Sequence, residues 1–186
     1  MNQTENTTKV ITGLCTFSYL NCWEPRAFNG SSPRYSVCLI IPKSDTQTVE
    51  KIRRATQAAW QKWQAVHRDS NGPLPDFSDL TDPLHDGDLE HPDIEAYRNS
   101  WYINAKSPFQ PGVVDAERHR ITDHSQMYSG VIGRASVELY VYNREGNVGI
   151  ACGLNHLQKV FDGTPLGGRS SAEDDFLDLD ALELPF

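Results

Sequence analysis

No stretch of this sequence is apolar over the roughly 20 residues that a membrane-spanning helix needs, and the opening MNQTENTTK has no apolar segment behind a basic head. Neither a membrane anchor nor a secretory signal is expected, and the expected compartment is the cytoplasm. Cysteine is sparse: Cys15, Cys22, Cys38 and Cys152 form no C-x-x-C pair and all fall in strand-like stretches. They read as reduced thiols used as small apolar side chains, not as a zinc site. Signatures of catalysis are missing too. GGRSS at 167–171 lacks the spacing of a phosphate-binding loop, and no serine elbow or Cys/His pattern is present. The acids of HDGDLEH at 85–91 depart from calcium-loop spacing, and a solvated acidic loop explains them more simply. No cofactor, no metal and no catalytic centre is expected.

Basic residues are absent from two segments, and that absence organises the charge. Between Asp69 and Glu95 lie nine acids with no Lys or Arg, and from Ala172 to the end lie six more, again with none. The chain carries 25 acids and 17 basic residues, net −8, so removing those fifteen acids leaves ten against 17, a body of formal charge +7. A basic body with two acidic appendages points to a polyanionic partner. At 186 residues, 38% hydrophobic and with mean hydropathy −0.53, the chain suits one domain plus a tail.

Hydrophobic periodicity gives the elements. Residues 1–8 are polar and expected to fray. KVITGLCTFSYLNCW (9–23) and RYSVCLIIP (34–42) read as strands joined through Pro25, Asn29-Gly30 and Pro33, a hairpin. A helix follows from a cap at Ser44 or Asp45, with Val49, Ile52, Thr56, Ala59, Trp63 and Val66 as its apolar stripe. Residues 69–95 have no period and read as a long structured loop. SWYINAKS reads as a strand, PGVVDAERHRIT as a small hairpin, and the stretch from Tyr128 to Val160 as a long hairpin turning at 143–147. The expected class is mainly β: a five-stranded oligonucleotide-binding (OB) barrel with one main helix after the second strand and long interstrand insertions. The expected boundaries are a frayed 1–8, a domain at 9–171 and a disordered tail at 172–186.

Strand alternation then sorts side chains by face. Val131, Val137, Leu139 and Val141 suit a core, whereas Arg134, Ser136, Glu138, Tyr140, Tyr142 and Arg144 share the opposite parity, as do Tyr102, Asn104 and Lys106. Rings beside cations on an open sheet match single-stranded nucleic acid, whose unpaired bases expose π-faces and whose backbone carries a charge at each nucleotide. A cross-strand aromatic ladder would use the same tyrosines.

WEPRAFNG…PRYSVCLIIPKSD, with YINAKS…PGVVD, YSG…YVYN…GNVGIACGLN and DGTPLGGRSSAEDDF, resembles a bacteriophage family of single-stranded DNA-binding proteins with an OB fold, across most of the chain. The resemblance implies coating of single-stranded DNA in phage replication, recombination and repair, in the host cytoplasm, without catalysis. Tyr102, Lys106, Arg134, Tyr140, Tyr142 and Arg144 are the first expected DNA contacts, followed by Trp23, Arg26, Arg34 and Lys159. The ending is similar to the acidic tails of bacterial and phage single-stranded DNA-binding proteins. That likeness assigns Asp178, Asp180, Leu182, Glu183, Leu184, Pro185 and Phe186 to a segment that competes with DNA and recruits replication or recombination proteins. Oligomerisation of the chain is left open. The competing reading is an acidic DNA-mimic or adaptor that binds a host DNA-processing enzyme, and a remoter one is a metal-dependent nuclease using Asp86, Asp88 and Glu90.

Overall fold

The computed structural model describes residues 7–68 and 73–167. Most of the expected frayed terminus and all of the expected tail, Asp178 to Phe186 included, lie outside the described residues. The described residues form eight strands and one long helix: β1 (Lys9–Ile11), β2 (Cys15–Arg26), β3 (Arg34–Pro42), α1 (Thr46–His67), β4 (Leu84–Asp86), the short α2 (Gly87–Glu90), β5 (Ser100–Ser107), β6 (Gly112–Val114), β7 (Ile132–Arg144) and β8 (Asn147–Phe161). The class is mainly β, as expected. The five long strands pair in a circuit, β2 with β3, β3 with β5, β5 with β8, β8 with β7, and β7 back to β2. All these pairings are antiparallel except β5–β8.

Two short strands, β1 and β4, were not anticipated as separate elements, while β6 is the first arm of the small hairpin expected at PGVVDAERHRIT, closed by the antiparallel Val114–Arg120 bridge. The first expected strand is broken at Thr12-Gly13-Leu14, so that β1 pairs only β7 while β2 pairs both β3 and β7. Gly13 permits the break. Its N–H donates to Thr48 Oγ1 at 2.8 Å, and a Cβ there would collide with the Asp45 carboxylate. β4 pairs β5 beside Tyr102, and β6 also pairs β8 in parallel.

The β2–β3 turn is the Asn-Gly hairpin anticipated, with Asn29 and Gly30 both at positive φ and Ser31 N–H donating to Phe28 O at 3.0 Å. Asp45 caps α1 by accepting from Thr48 N–H. The helix closes one side of the core with Val49, Ile52, Ala55, Thr56, Ala59 and Trp60. Val66, expected in that stripe, is 77% exposed. The buried stripe shifts to Trp60, which stacks on Trp63 and meets Phe77 of the insertion. Inside the circuit, Phe17, Val37, Leu39, Ile41, Ile103, Val137, Leu139, Leu154 and Leu157 make one continuous core with all or almost all surface buried.

Candidate nucleic-acid interface

β3 and β5 run in register, with Ser36 opposite Lys106, Cys38 opposite Asn104 and Ile40 opposite Tyr102. Alternation turns all six side chains away from the main core. At the Ile40–Tyr102 end the insertion covers them. Cys38, Ile40, Tyr97 and Tyr102 form a second small apolar cluster. Tyr97 meets Tyr102 edge to face at 5.2 Å, and His85 stacks on Tyr102 at 4.9 Å. The Tyr102 hydroxyl donates to Glu90 at 2.6 Å, and burial followed by that carboxylate pushes the phenol above its ordinary range. Tyr102 is therefore not the open ring expected. It is 7% exposed, because a segment without sequence periodicity folds back over it.

The other end of the face is open. A groove of about 540 Å³ is lined by Tyr19, Asn21, Arg26, Phe28, Arg34 and Ser36 of the β2–β3 hairpin, with Asn104 and Lys106 of β5. Asn104 and Lys106 also line a second recess of about 230 Å³, walled by Tyr140, Tyr142, Ile150 and Ala151 and by Thr81, Asp82 and His85. The two recesses adjoin through these shared residues, making a channel across β2, β3, β5, β8 and β7. Tyr140 is 47% exposed. Tyr142 lies across its cross-strand partner Gly149, where a Cβ would collide with its ring. Glycine at that position is what allows the ring to lie against the sheet.

The charges in the groove are unbalanced. Arg26 sits directly opposite Arg34 in the hairpin register, an arrangement that is destabilising on its own. Among the described residues no ion pair engages Arg26, Arg34 or Lys106, whereas Lys43 holds Asp86 and Asp88 at 2.7 and 2.6 Å and Arg54 pairs with Glu50. The structure brings Arg26, Arg34, Lys106, Tyr140 and Tyr142 into one channel, with Arg144 exposed on the β7–β8 turn two residues beyond Tyr142.

It places the other candidates elsewhere. Trp23 packs partly against the core, stacked on His124 at 4.3 Å, and its Nε1–H donates to His124 O at 3.2 Å. Lys159 donates to Gln126 O and pairs with Asp162, both at 2.7 Å. Arg134 Nε donates to Thr12 O at 3.1 Å, bracing the break between β1 and β2. Sequence reasoning missed Tyr19 and Phe28. Phe28 carried a readable signal, an aromatic inside a turn with no periodic partner; Tyr19 carried none, since simple alternation with Cys15 and Phe17 assigns it to the core.

The carboxylates of the nuclease reading are already engaged. Asp86 and Asp88 are held by Lys43, which draws both below the ordinary carboxylate range, and Glu90 accepts from Tyr102 and lies 2.9 Å from His85 Nδ1. Asp115, Glu117 and His119 also gather ligand atoms within 4.8 Å, but on an exposed turn where Asp115 already accepts from His119 N–H at 2.8 Å.

A family model described as the single-stranded DNA-binding protein of Enterobacter phage Enc34 matches residues 8–183. The chain belongs to this family. It is a family of binding proteins, not of enzymes. No curated protein matches the sequence. Among solved structures, the fold is similar to the single-stranded DNA-binding protein from bacteriophage Enc34 in complex with single-stranded DNA. That match has a TM-score of 0.69 at 21% identity and covers 87% of this chain and 90% of that one. A further structure of the single-stranded DNA-binding protein from bacteriophage Enc34 matches with a TM-score of 0.68 at 21% identity, covering 91% of this chain and 90% of that one. Also similar is gp2.5, a single-stranded DNA-binding protein encoded by bacteriophage T7, with a TM-score of 0.62 at 16% identity, covering 95% and 98%. Among the described residues no helix is long and apolar enough to cross a membrane.

Proposed function

We propose that this protein binds single-stranded DNA without sequence preference along the channel running from the β2–β3 hairpin to the β7–β8 strands, and acts so in phage replication, recombination and repair. The observation that carries the proposal is the unneutralised Arg26–Arg34 pair, with Lys106, on the same open face as Tyr140 and Tyr142. Phosphates supply the missing counter-charge, and bases stack on the rings whatever their identity. Duplex DNA hides its base faces and gives the tyrosines nothing to stack on, so the channel favours unpaired strands.

The tail from Ala172 to Phe186 competes with DNA for the same cations. Six tethered acids act at an effective concentration on the order of millimolar. Long DNA displaces them and frees Leu184-Pro185-Phe186 for an apolar pocket on a replication or recombination protein. Fluorescence anisotropy with labelled oligo-dT tests both parts. The full chain is expected to bind with affinity that falls as salt rises, and a chain truncated before Ala172 to bind more tightly at low salt. Absence of binding by both chains would favour the adaptor reading, and equal affinity would remove the competition.

A further inference from the structure

Tyr19 occupies a backbone position that tyrosine does not favour. Its φ is 46°, in the left-handed region that a bulky L-residue avoids, and its side chain is 70% exposed. The cause lies in the register. Ser18 pairs with Cys38 and Asn21 with Ser36, so three steps on β2 oppose two on β3, a bulge of one extra residue. The extra residue reverses the alternation. Leu20 packs against the core in the place that Tyr19 would otherwise take, and Tyr19 turns out to line the groove beside Arg26 and Arg34. The bulge is pinned on both sides: Leu20 N–H donates to Ser129 Oγ at 3.1 Å, and Asn21 Nδ2 donates to Tyr19 O at 3.1 Å and Ser36 Oγ at 3.2 Å. Among the described residues no hydrogen bond engages the Tyr19 hydroxyl and no ring stacks on it. Glycine or asparagine would hold this backbone at lower cost, and neither the core nor a hydrogen bond accounts for the ring.

We propose that Tyr19 is a base-stacking residue that, with the opposed Arg26 and Arg34 beside it, anchors one nucleotide at the hairpin end of the channel. The proposal rests on the DNA-binding reading above and adds a specific subsite to it. A base lies on the exposed ring while its phosphate sits between the two guanidinium groups, which explains in one stroke why like charges face each other and why an aromatic is kept at a left-handed position. Strain of this kind persists where the side chain has a task and the surroundings hold the backbone.

The test uses the full chain with Tyr19→Phe, Tyr19→Gly and Tyr19→Asn, measuring oligo-dT binding by anisotropy and thermal unfolding in parallel. Tyr19→Phe keeps the ring and is expected to bind like the wild type. Tyr19→Gly and Tyr19→Asn are expected to bind about tenfold more weakly, within the range for loss of one base stack, while melting at the wild-type temperature or above. Asparagine guards against a loss caused only by a more flexible chain. Because a stack carries no charge, both variants keep the wild-type salt slope, whereas Arg26→Gln with Arg34→Gln, which releases the shared phosphate, lowers it by roughly 0.7. Wild-type affinity in the glycine and asparagine variants overturns the proposal, as does a loss of affinity that tracks a lower melting temperature. If the wild type itself fails to bind oligo-dT, the DNA-binding reading fails and the subsite with it.

Discussion

Replacing Arg26, Arg34 and Lys106 together by glutamine is expected to flatten the salt dependence of DNA binding without weakening the fold. Arg26 and Arg34 face each other across one inter-strand step, and Lys106 pairs with Ser36, two residues along β3 from Arg34. In strand geometry the backbones of Arg26 and Arg34 lie about 5 Å apart, while Lys106, on the far side of β3, lies roughly 8 Å from Arg34 and roughly 12 Å from Arg26, a spread that long side chains bridge to neighbouring phosphates. Each phosphate neutralised on a single strand contributes roughly 0.7 to the slope of log K against log salt. With one phosphate shared by Arg26 and Arg34 and another met by Lys106, two contacts amount to about 1.4, so a tenfold rise in salt should cost the wild type about 25-fold more affinity than it costs the triple variant. The stability readout should move the other way. The Arg26–Arg34 opposition destabilises by an amount on the order of 0.2–1 kcal/mol, and its removal leaves no buried partner orphaned, since no ion pair among the described residues uses either side chain. The assay is anisotropy with labelled oligo-dT across a salt series, with a thermal melt of each protein. Identical slopes in wild type and triple variant would refute the assignment of phosphates to this channel. So would an equal flattening by Arg134→Gln or Lys159→Gln, whose groups already serve Thr12 O, Gln126 O and Asp162.

Tyr140→Ala with Tyr142→Ala should weaken oligo-dT binding by about 1–3 kcal/mol for each base that stacks while leaving the circular dichroism spectrum unchanged; undiminished affinity would place the bases elsewhere. Stability should fall as the pH drops below roughly 4, the ordinary carboxylate range. Lys43 depresses the folded-state pKa of Asp86 and Asp88, so their stabilisation is complete above the unfolded value and is lost as the pH falls through the folded one. Thermal melts from pH 7 to 2 should show a shallower acid decline in Lys43→Met, and parallel curves would show that the pairing is idle. Buried thiols should be inert: burial pushes Cys15 and Cys152 up to about 12, so native protein should react with a thiol-alkylating reagent only on unfolding.

What was legible in the sequence was whatever obeyed a local period. The Asn29-Gly30 hairpin, the Asp45 cap and the alternating faces of β7 all follow from side-chain spacing and turn chemistry, and they stand in the fold. What escaped was set by contacts remote in sequence. Tyr102 has the outward parity assigned to it, yet Glu90, His85 and Tyr97 cover it, and nothing in the composition of an acidic, proline-rich segment announces that it folds back on a strand. Tyr19 escaped for the opposite reason, since one extra residue in β2 reverses a parity that the letters alone assign to the core. Val66 fits the helical stripe, but α1 runs past the end of the core and leaves it in solvent. Lys159 and Arg134 carry the right charge in strands of the right sheet, and are taken up by carbonyls near them.

A net charge of −8 is compatible with a polyanionic ligand because fields at a protein surface are local. Screening reduces interactions beyond about 8–10 Å at physiological salt, so the sign that DNA meets is that of the channel wall and not of the chain. The insertion illustrates how its acids are kept from spoiling that sign: Asp86 and Asp88 turn to Lys43, and Glu90 turns to Tyr102 and His85. Asp82 is the acid of this segment that lines the channel, at the β7–β8 end, where its carboxylate accepts from Leu84 N–H at 2.9 Å. The channel is therefore polarised along its length, with cations concentrated at the hairpin and tyrosines set beside an acid at the opposite end. In the proposed binding mode phosphate attraction is expected to dominate at the first and stacking at the second, so that salt and aromatic substitutions report on different ends of the same bound strand.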